Sequence, residues 1–191
     1  ICVVHPMNSA TAEENAEMYA RFLELAHKYG VKIATENMWN WDKEKDESLP
    51  AACSLAEDFC RHIDIVNDDF FVACLDIGHA EMRGSSDGAA KTIRALGDRL
   101  QALHIHDNDQ WKDSHAIPFS MKINFEDVVK ALKDSAASSA VFLINANAFA
   151  AGLPSNKLSK DSMPSISLTI VNNSSSDVAV LYNNDFTYSL S

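Results

Sequence analysis

Lysine and arginine are the scarce residues of this 191-residue chain: 16 stand against 27 aspartates and glutamates, giving a net charge of −11 and a pI near 4.9. That balance repels a phosphate backbone, and no basic stripe offsets it, so no nucleic-acid partner is expected. A small neutral or metal-chelated substrate suits the charge better. No apolar run approaches the length of a membrane span, and no opening segment has the build of a secretory leader. The four cysteines, Cys2, Cys53, Cys60 and Cys74, contain no C-x-x-C pair and are too few for a disulfide scaffold. Cys2 and Cys74 fall in apolar, strand-like runs, while Cys53 and Cys60 stand seven apart on an expected helix face. They read as buried free thiols, in keeping with a reducing, cytoplasmic compartment.

What is present is ordinary globular material, 47% apolar and 23% charged, in a length that suits one domain. Ile1-Cys2-Val3-Val4-His5-Pro6 begins directly in a strand pattern, so a truncated chain is expected. Asn8-Ser9-Ala10-Thr11 supplies helix-start chemistry, with Glu13 and Glu14 at the positive end of the helix dipole. Met18, Phe22, Leu25 and Ala26 recur at helical spacing until Tyr29-Gly30 stops the helix. Further strands are expected at Val31–Thr35, Phe70–Leu75, Leu100–Ile105 and Val141–Ile144. Helices are expected at Leu49–Val66 (apolar face Leu55, Phe59, Ile63 and Val66), Asp87–Leu96 and Phe125–Leu132, the last capped by Asn124.

Apolar strands without polar alternation, separated by helices, mark a parallel sheet covered by helices. About five such strands are visible, whereas a closed eight-stranded barrel takes about 250 residues. Beyond Gly152 the character changes to a Ser- and Asn-rich tail. It carries β-like pieces at Ile166–Val171 and Val178–Tyr182, joined by a hairpin-like Asn172–Asp177. The expected organisation is a barrel-type domain over 1–154 and an atypical tail over 155–191.

Three apolar strands break abruptly into ligand-type residues: Ile33-Ala34-Thr35-Glu36-Asn37, Leu75-Asp76-Ile77-Gly78-His79 and Leu103-His104-Ile105-His106-Asp107-Asn108-Asp109. Barrel folds place their functional loops at such strand ends. Glu36, Asp76 and His106 therefore form the candidate metal set, and two carboxylates with an imidazole suit Mn, Zn, Co or Mg. The plainer alternative, a solvated loop residue, fits each one singly better than it fits all three in succession. His106 is preferred over His104 because it lies at the strand end, and His104 is expected to turn to the opposite face. His79 is placed to hydrogen-bond a substrate oxygen, or else to cap a helix. His5 either lines the cleft or ends its strand, and Asp113 and His115 either approach the metal site or are surface groups. Trp39, Trp41 and Trp111 follow ligand-bearing strands and read as walls of a sugar pocket or as cover for the rim.

Taken together, Val4-His5-Pro6, Glu36-Asn37-Met38, Leu75–His79, His104–Asp109 and Asp113-Ser114-His115 resemble the xylose isomerase-like barrel superfamily. That superfamily holds sugar and sugar-phosphate isomerases and epimerases, and the endonuclease IV type of repair nuclease. The resemblance covers roughly residues 1–154 and implies an α/β fold of (β/α)8 TIM-barrel type. The fold would be incomplete, with about strands four to eight present. It also implies a divalent cation held by Glu36, Asp76 and His106, with Glu36 and His79 as catalytic groups acting through an enediolate. His5, His79, Trp39, Trp111, Asp113 and His115 would contact a sugar or sugar phosphate, in carbohydrate metabolism. Asn145 stands where the family carries a second glutamate. Loss of that acid/base partner is worth about 10²–10⁴-fold in rate. An endonuclease-like hydrolase, with Asp113 and His115 completing a multi-metal cluster, is the alternative enzyme. A non-catalytic remnant, associating as a homo-oligomer through open sheet edges, is the third reading.

Overall fold

The computed structural model describes residues 1–135, 141–144 and 181–182. Thr11 opens the first helix, α1 (Ala12–Tyr29), with a complete capping box: its hydroxyl accepts from the Glu14 amide, and the Glu14 carboxylate accepts from the Thr11 amide. Gly30, left-handed at φ 65°, closes α1 and returns the chain toward the sheet. The strands β1 (Cys2–Val4), β2 (Ile33–Glu36), β5 (Phe71–Asp76), β6 (Leu100–Ile105), β7 (Val141–Ile144) and β8 (Leu181–Tyr182) form one sheet in that order. Every pairing in it is parallel. Helices α2 (Ala56–Val66), α4 (Ala89–Leu96) and α5 (Phe125–Asp134) follow in sequence, each packed beside the one before it, with α1 beside α2. A short helix, α3 (Ile77–Ala80), grows directly from the end of β5.

The expected strands are all found, including β7. Of the tail's two β-like pieces, Leu181–Tyr182 pairs parallel with β7, while the expected hairpin loop and Ile166–Val171 lie outside the described residues. Two expectations need correction. The helix expected from Leu49 begins only at Ala56, because Glu47–Pro50 is a strand, β4, paired antiparallel with β3 (Trp39–Asp42). Pro50 and the left-handed Cys53 (φ 62°) keep the intervening segment out of a helix. Cys53 is thus buried outside α2, and Cys60 is half-buried within it. All four cysteines are free thiols, but only Cys53 and Cys74 are buried, and Cys2 is exposed.

The second correction concerns α1. Its sheet-facing side is Ala12, Asn15, Tyr19 and Ala26, whereas Phe22 (38% exposed) and Leu25 (53% exposed) lie on a flank. Tyr19 packs against Phe71 at 4.5 Å between ring centroids and shares a 2.5 Å hydrogen bond with Thr35. One aromatic with a polar tip outweighs the more obvious Phe/Leu spacing, since it fills the core and satisfies a buried hydroxyl.

The two faces of the sheet differ in side-chain size. Tyr19, Phe59, Leu75, Ile93 and Leu103 build the large core between sheet and helices. On the opposite face Ala34, Val72, Cys74 and Ala102 form a small cluster with Val3 against it. Strand side chains alternate, so residues two further along share a face. From Val3, Ala34, Cys74 and Ala102 that rule leads to His5, Glu36, Asp76 and His104.

Tyr19→Ala should cost about 3–5 kcal/mol in urea unfolding, as large aromatic truncations do in cores. Leu25→Ala should stay within about 0.5 kcal/mol. Equal losses would show that the flank of α1 is packed.

Candidate metal centre

The parallel register brings the strand ends into one cluster. Glu36 opposes Cys74, and Asp76 opposes His104 across β5 and β6. Glu36 and Asp76 are 2% and 1% exposed. Two buried carboxylates repel one another and lose hydration, so they persist only when cations or donors surround them. Imidazoles fill that need here. His104 Nδ1 donates to Glu36 Oε1 at 2.9 Å and lies 3.7 Å from Asp76 Oδ2. His106 Nε2 sits 2.9 Å from Asp76 Oδ1, and His79 Nδ1 is 3.8 Å from Glu36 Oε1. His5 Nε2 reaches to 3.1 Å from Glu36 Oε2 at the open side.

The expectation that His104 faces away is therefore corrected. Both His104 and His106 approach Asp76, because positions two apart on a strand share a side. The repeat His-Ile-His was itself the signal.

Asn37 holds the arrangement from behind. Its side chain accepts from the Asp76 amide (2.7 Å) and donates to the Asp76 carbonyl (3.0 Å), and its own carbonyl accepts from His79 Nδ1 (2.9 Å). The Asp76 carboxylate caps α3 by accepting from the His79 amide at 2.8 Å. His79 consequently points Nε2 at Asp113 Oδ2, 3.2 Å away. The loop carrying Asp113 and His115 is folded around Asp107, whose buried carboxylate accepts from the amides of Asn108, Met121, Lys122 and Ile123. His115 adopts a left-handed backbone (φ 47°), stacks on His106 at 4.0 Å, and approaches Asp113 Oδ2 at 3.2 Å. Such a backbone persists in a non-glycine only where its surroundings impose it.

Trp39 lies edge-on to His79 at 6.5 Å and to Trp41 at 6.2 Å, so the β3–β4 hairpin overhangs the cluster. Trp111 stands further out, under the Arg83 guanidinium. Asn145 lies outside the described residues.

Electrostatics follow from this crowding. Burial works to raise the Asp76 carboxyl, but His79 and His106 beside it hold it below its ordinary range. Burial works to lower His79, and Asp76 and Asp113 override it, raising His79 to about 10. Burial likewise opposes the lowering of Asp113, which His115 and His79 drive. His104 is raised against its own burial by Glu36.

Two groups of donors have the separation a single cation needs: Glu36, Asp76 and His79, and His79, His106, Asp113 and His115, each within 4.8 Å of one another. Metal–ligand bonds of about 2.0–2.2 Å call for donor atoms roughly 3–4 Å apart. Glu36 Oε2, both His106 nitrogens and Asp113 Oδ1 are buried and complete no well-aligned hydrogen bond, although His5 Nε2 stands beside the first and Asp76 Oδ1 beside His106 Nε2; a cation would relieve that costly condition. The residues fit a divalent metal.

Gly78 lies flush under His106, where an added Cβ would fall 1.8 Å from Cε1. Gly78→Ala should displace that ring, costing about 1–3 kcal/mol where alanine normally favours a helix. Chemical denaturation checks the sign, and unchanged or increased stability would show that the ring is loosely held. In the metal-free protein the raised His79 stabilises fully below its ordinary 6.5 and loses that contribution as pH climbs toward about 10. The lowered Asp76 and Asp113 stabilise above their ordinary 3.8 and lose that contribution as pH falls. Denaturation at about pH 3, 5.5 and 9 should therefore peak at the middle value. Stability still rising at the highest pH would contradict the pairing.

The family of xylose isomerase-like TIM barrels matches residues 2–165 of the chain. Among curated relatives, the protein MJ1311 of Methanocaldococcus jannaschii is 26% identical over 156 residues, covering 77% of this chain and 51% of that protein. The protein y4fM of Sinorhizobium fredii is 35% identical over 102 residues, covering 53% of this chain and 29% of that one. The chain thus spans about half, or less, of the length of these relatives. Two solved structures share the fold. One is a D-tagatose 3-epimerase-like protein (TM-score 0.59, 24% identity, 75% of this chain and 54% of that one). The other is the IOLI protein with a bound zinc atom (TM-score 0.55, 19% identity, 74% of this chain and 51% of that one). On the extent of the family match, with the parallel sheet and the strand-end cluster, the chain belongs to the xylose isomerase-like TIM barrel family.

Proposed function

We propose that the protein binds a divalent cation at Glu36 and Asp76 and acts on a sugar as an isomerase or epimerase. The observation carrying this reading is the pair of buried strand-end carboxylates, one with an oxygen that completes no hydrogen bond, ringed by imidazoles. His104 completes the set in preference to His106, because it reaches both carboxylates while His106 reaches one. A cation held there would polarise the sugar's carbonyl and adjacent hydroxyl. Glu36 takes or returns the proton on the carbon beside that carbonyl. His79, fixed through Nδ1 by the Asn37 carbonyl, holds Nε2 at the Asp113 carboxylate, where a substrate oxygen would share or displace that contact. Trp39 and the β3–β4 hairpin shield the reacting face from water. Zinc, manganese, cobalt and magnesium all suit the donor set, with zinc favoured wherever imidazole predominates. By the sequence resemblance Asn145 stands where the family carries its second acid/base glutamate, and an amide cannot accept a proton there, so slow turnover is expected. The free thiols suit a cytoplasmic setting.

A second reading rests on the imidazole-rich group of His79, His106, Asp113 and His115. A second cation there would make a multi-metal hydrolase of phosphodiesters. The net charge of −11 disfavours a nucleic-acid substrate for it.

Metal content by mass spectrometry and deuterium uptake from D2O beside the carbonyl of ketoses test the first reading. One bound equivalent and slow uptake are expected, with Glu36→Gln abolishing uptake and Asn145→Glu raising it by about 10²–10⁴-fold. A chain that holds no divalent metal would refute the proposal. Two equivalents with cleavage of abasic DNA would favour the hydrolase.

A further inference from the structure

The rim of the centre holds an arginine that the chemistry above does not use. Of the five arginines, Arg61, Arg94 and Arg99 are ion-paired with Glu13, Asp134 and Asp64. Arg21, on α1, and Arg83 are exposed and have no carboxylate partner among the described residues, in a chain with a surplus of 11 acidic groups; of the two, it is Arg83 that closely follows His79 of the strand-end cluster. Its backbone is nevertheless held on both sides. The Arg83 amide donates to the Gln110 carbonyl at 2.9 Å, and the Ser48 hydroxyl of β4 donates to the Arg83 carbonyl. Its guanidinium lies 5.6 Å over the Trp111 ring, which is 42% exposed. Asp109 and Asp113, each two residues from Trp111, are engaged elsewhere, Asp109 by the amides of Trp111 and Lys112 at 2.9 and 2.8 Å and Asp113 by His79 and His115.

Position makes this cation relevant. Arg83 follows His79 by four residues, and the Met82 amide beside it donates to the His79 carbonyl. Trp111 is two residues, at most about 7 Å of chain, from Asp113, whose carboxylate touches His79. A guanidinium held over an indole face by a cation–π contact leaves its N–H groups free of carboxylate partners, and its fork matches the paired oxygens of phosphate or carboxylate.

We propose that Arg83, braced on Trp111, is the specificity-determining residue for an oxyanion on the substrate. The favoured substrate is a sugar bearing a phosphate or carboxylate at the end remote from the carbons held at Glu36 and Asp76. This deepens the sugar reading of the same site and rests on it. The negative chain repels such a substrate, so a cation held at the rim without a carboxylate partner among the described residues both admits it and sets its direction of entry.

Calorimetry on the manganese-loaded full chain tests this with D-fructose 6-phosphate, D-glucuronate and D-fructose. At least one anionic sugar should bind about tenfold or more tightly than D-fructose, and the preference should shrink between about 0.15 M and 0.5 M salt. Which of the two anions gains distinguishes phosphate from carboxylate. Arg83→Met should remove the preference while leaving D-fructose affinity and bound manganese unchanged, and Arg83→Lys should restore part of it. Equal binding of all three sugars, or a preference that survives in Arg83→Met, would overturn the assignment. Manganese retained with no sugar bound would overturn it too while sparing the metal centre, whereas loss of manganese itself strikes the underlying reading.

Discussion

Two carboxylates buried side by side, Glu36 and Asp76, are the constraint around which the rest of the structure is arranged. Neither can hold its charge in a sheet interior without compensation, and the parallel register places them on neighbouring strands of one face. His104, His106 and His79 converge because the electrostatics require it. Gly78 is there because His106 leaves no room for a side chain. Asn37 then fixes the backbone of Asp76 and the ring of His79 with three hydrogen bonds. The cluster is rigid from behind and open in front.

Its outer layer is built differently. The loop after β6 leaves Trp111, Phe119 and Met121 exposed and is gathered by the Asp107 carboxylate, which satisfies four backbone amides. That device carries Asp113 and His115 back over the strand ends. The β3–β4 hairpin is tied to the same rim through Ser48 and Arg83, and brings Trp39 to His79. Polar ties of this kind set the shape of the mouth while the sheet and helices set its floor.

Much of this was legible in the residues. Continuous apolar runs such as Phe71–Leu75 announce strands buried on both faces, and their abrupt endings in Glu36, Asp76 and His106 mark the strand ends that converge in one buried cluster. The capping box of Thr11 and Glu14 and the Asn124 cap fix helix starts by local hydrogen bonds, so they can be read without tertiary knowledge. The β3–β4 hairpin was not legible. Trp39-Asn40-Trp41 alternates over too few residues, and its pairing with Ser48 and Leu49 depends on a turn whose residues carry no glycine. The face of α1 was misread for a related reason: Phe22 and Leu25 satisfy the helical period, but only packing decides that Tyr19 is the residue that meets Phe71 and Thr35.

By itself the sequence determined the alternation of strands and helices, the parallel character of the sheet, and which strand ends carry ligand-type side chains. These follow from hydrophobic period and local capping, which act over a few residues. Only the tertiary structure decided that Asn37 clamps Asp76, that His79 meets Asp113, and that Arg83 meets Trp111 at the rim. Each of those depends on the stagger between strands or on loops folding back across the sheet. Such long-range distances are set by packing, and no local pattern encodes them.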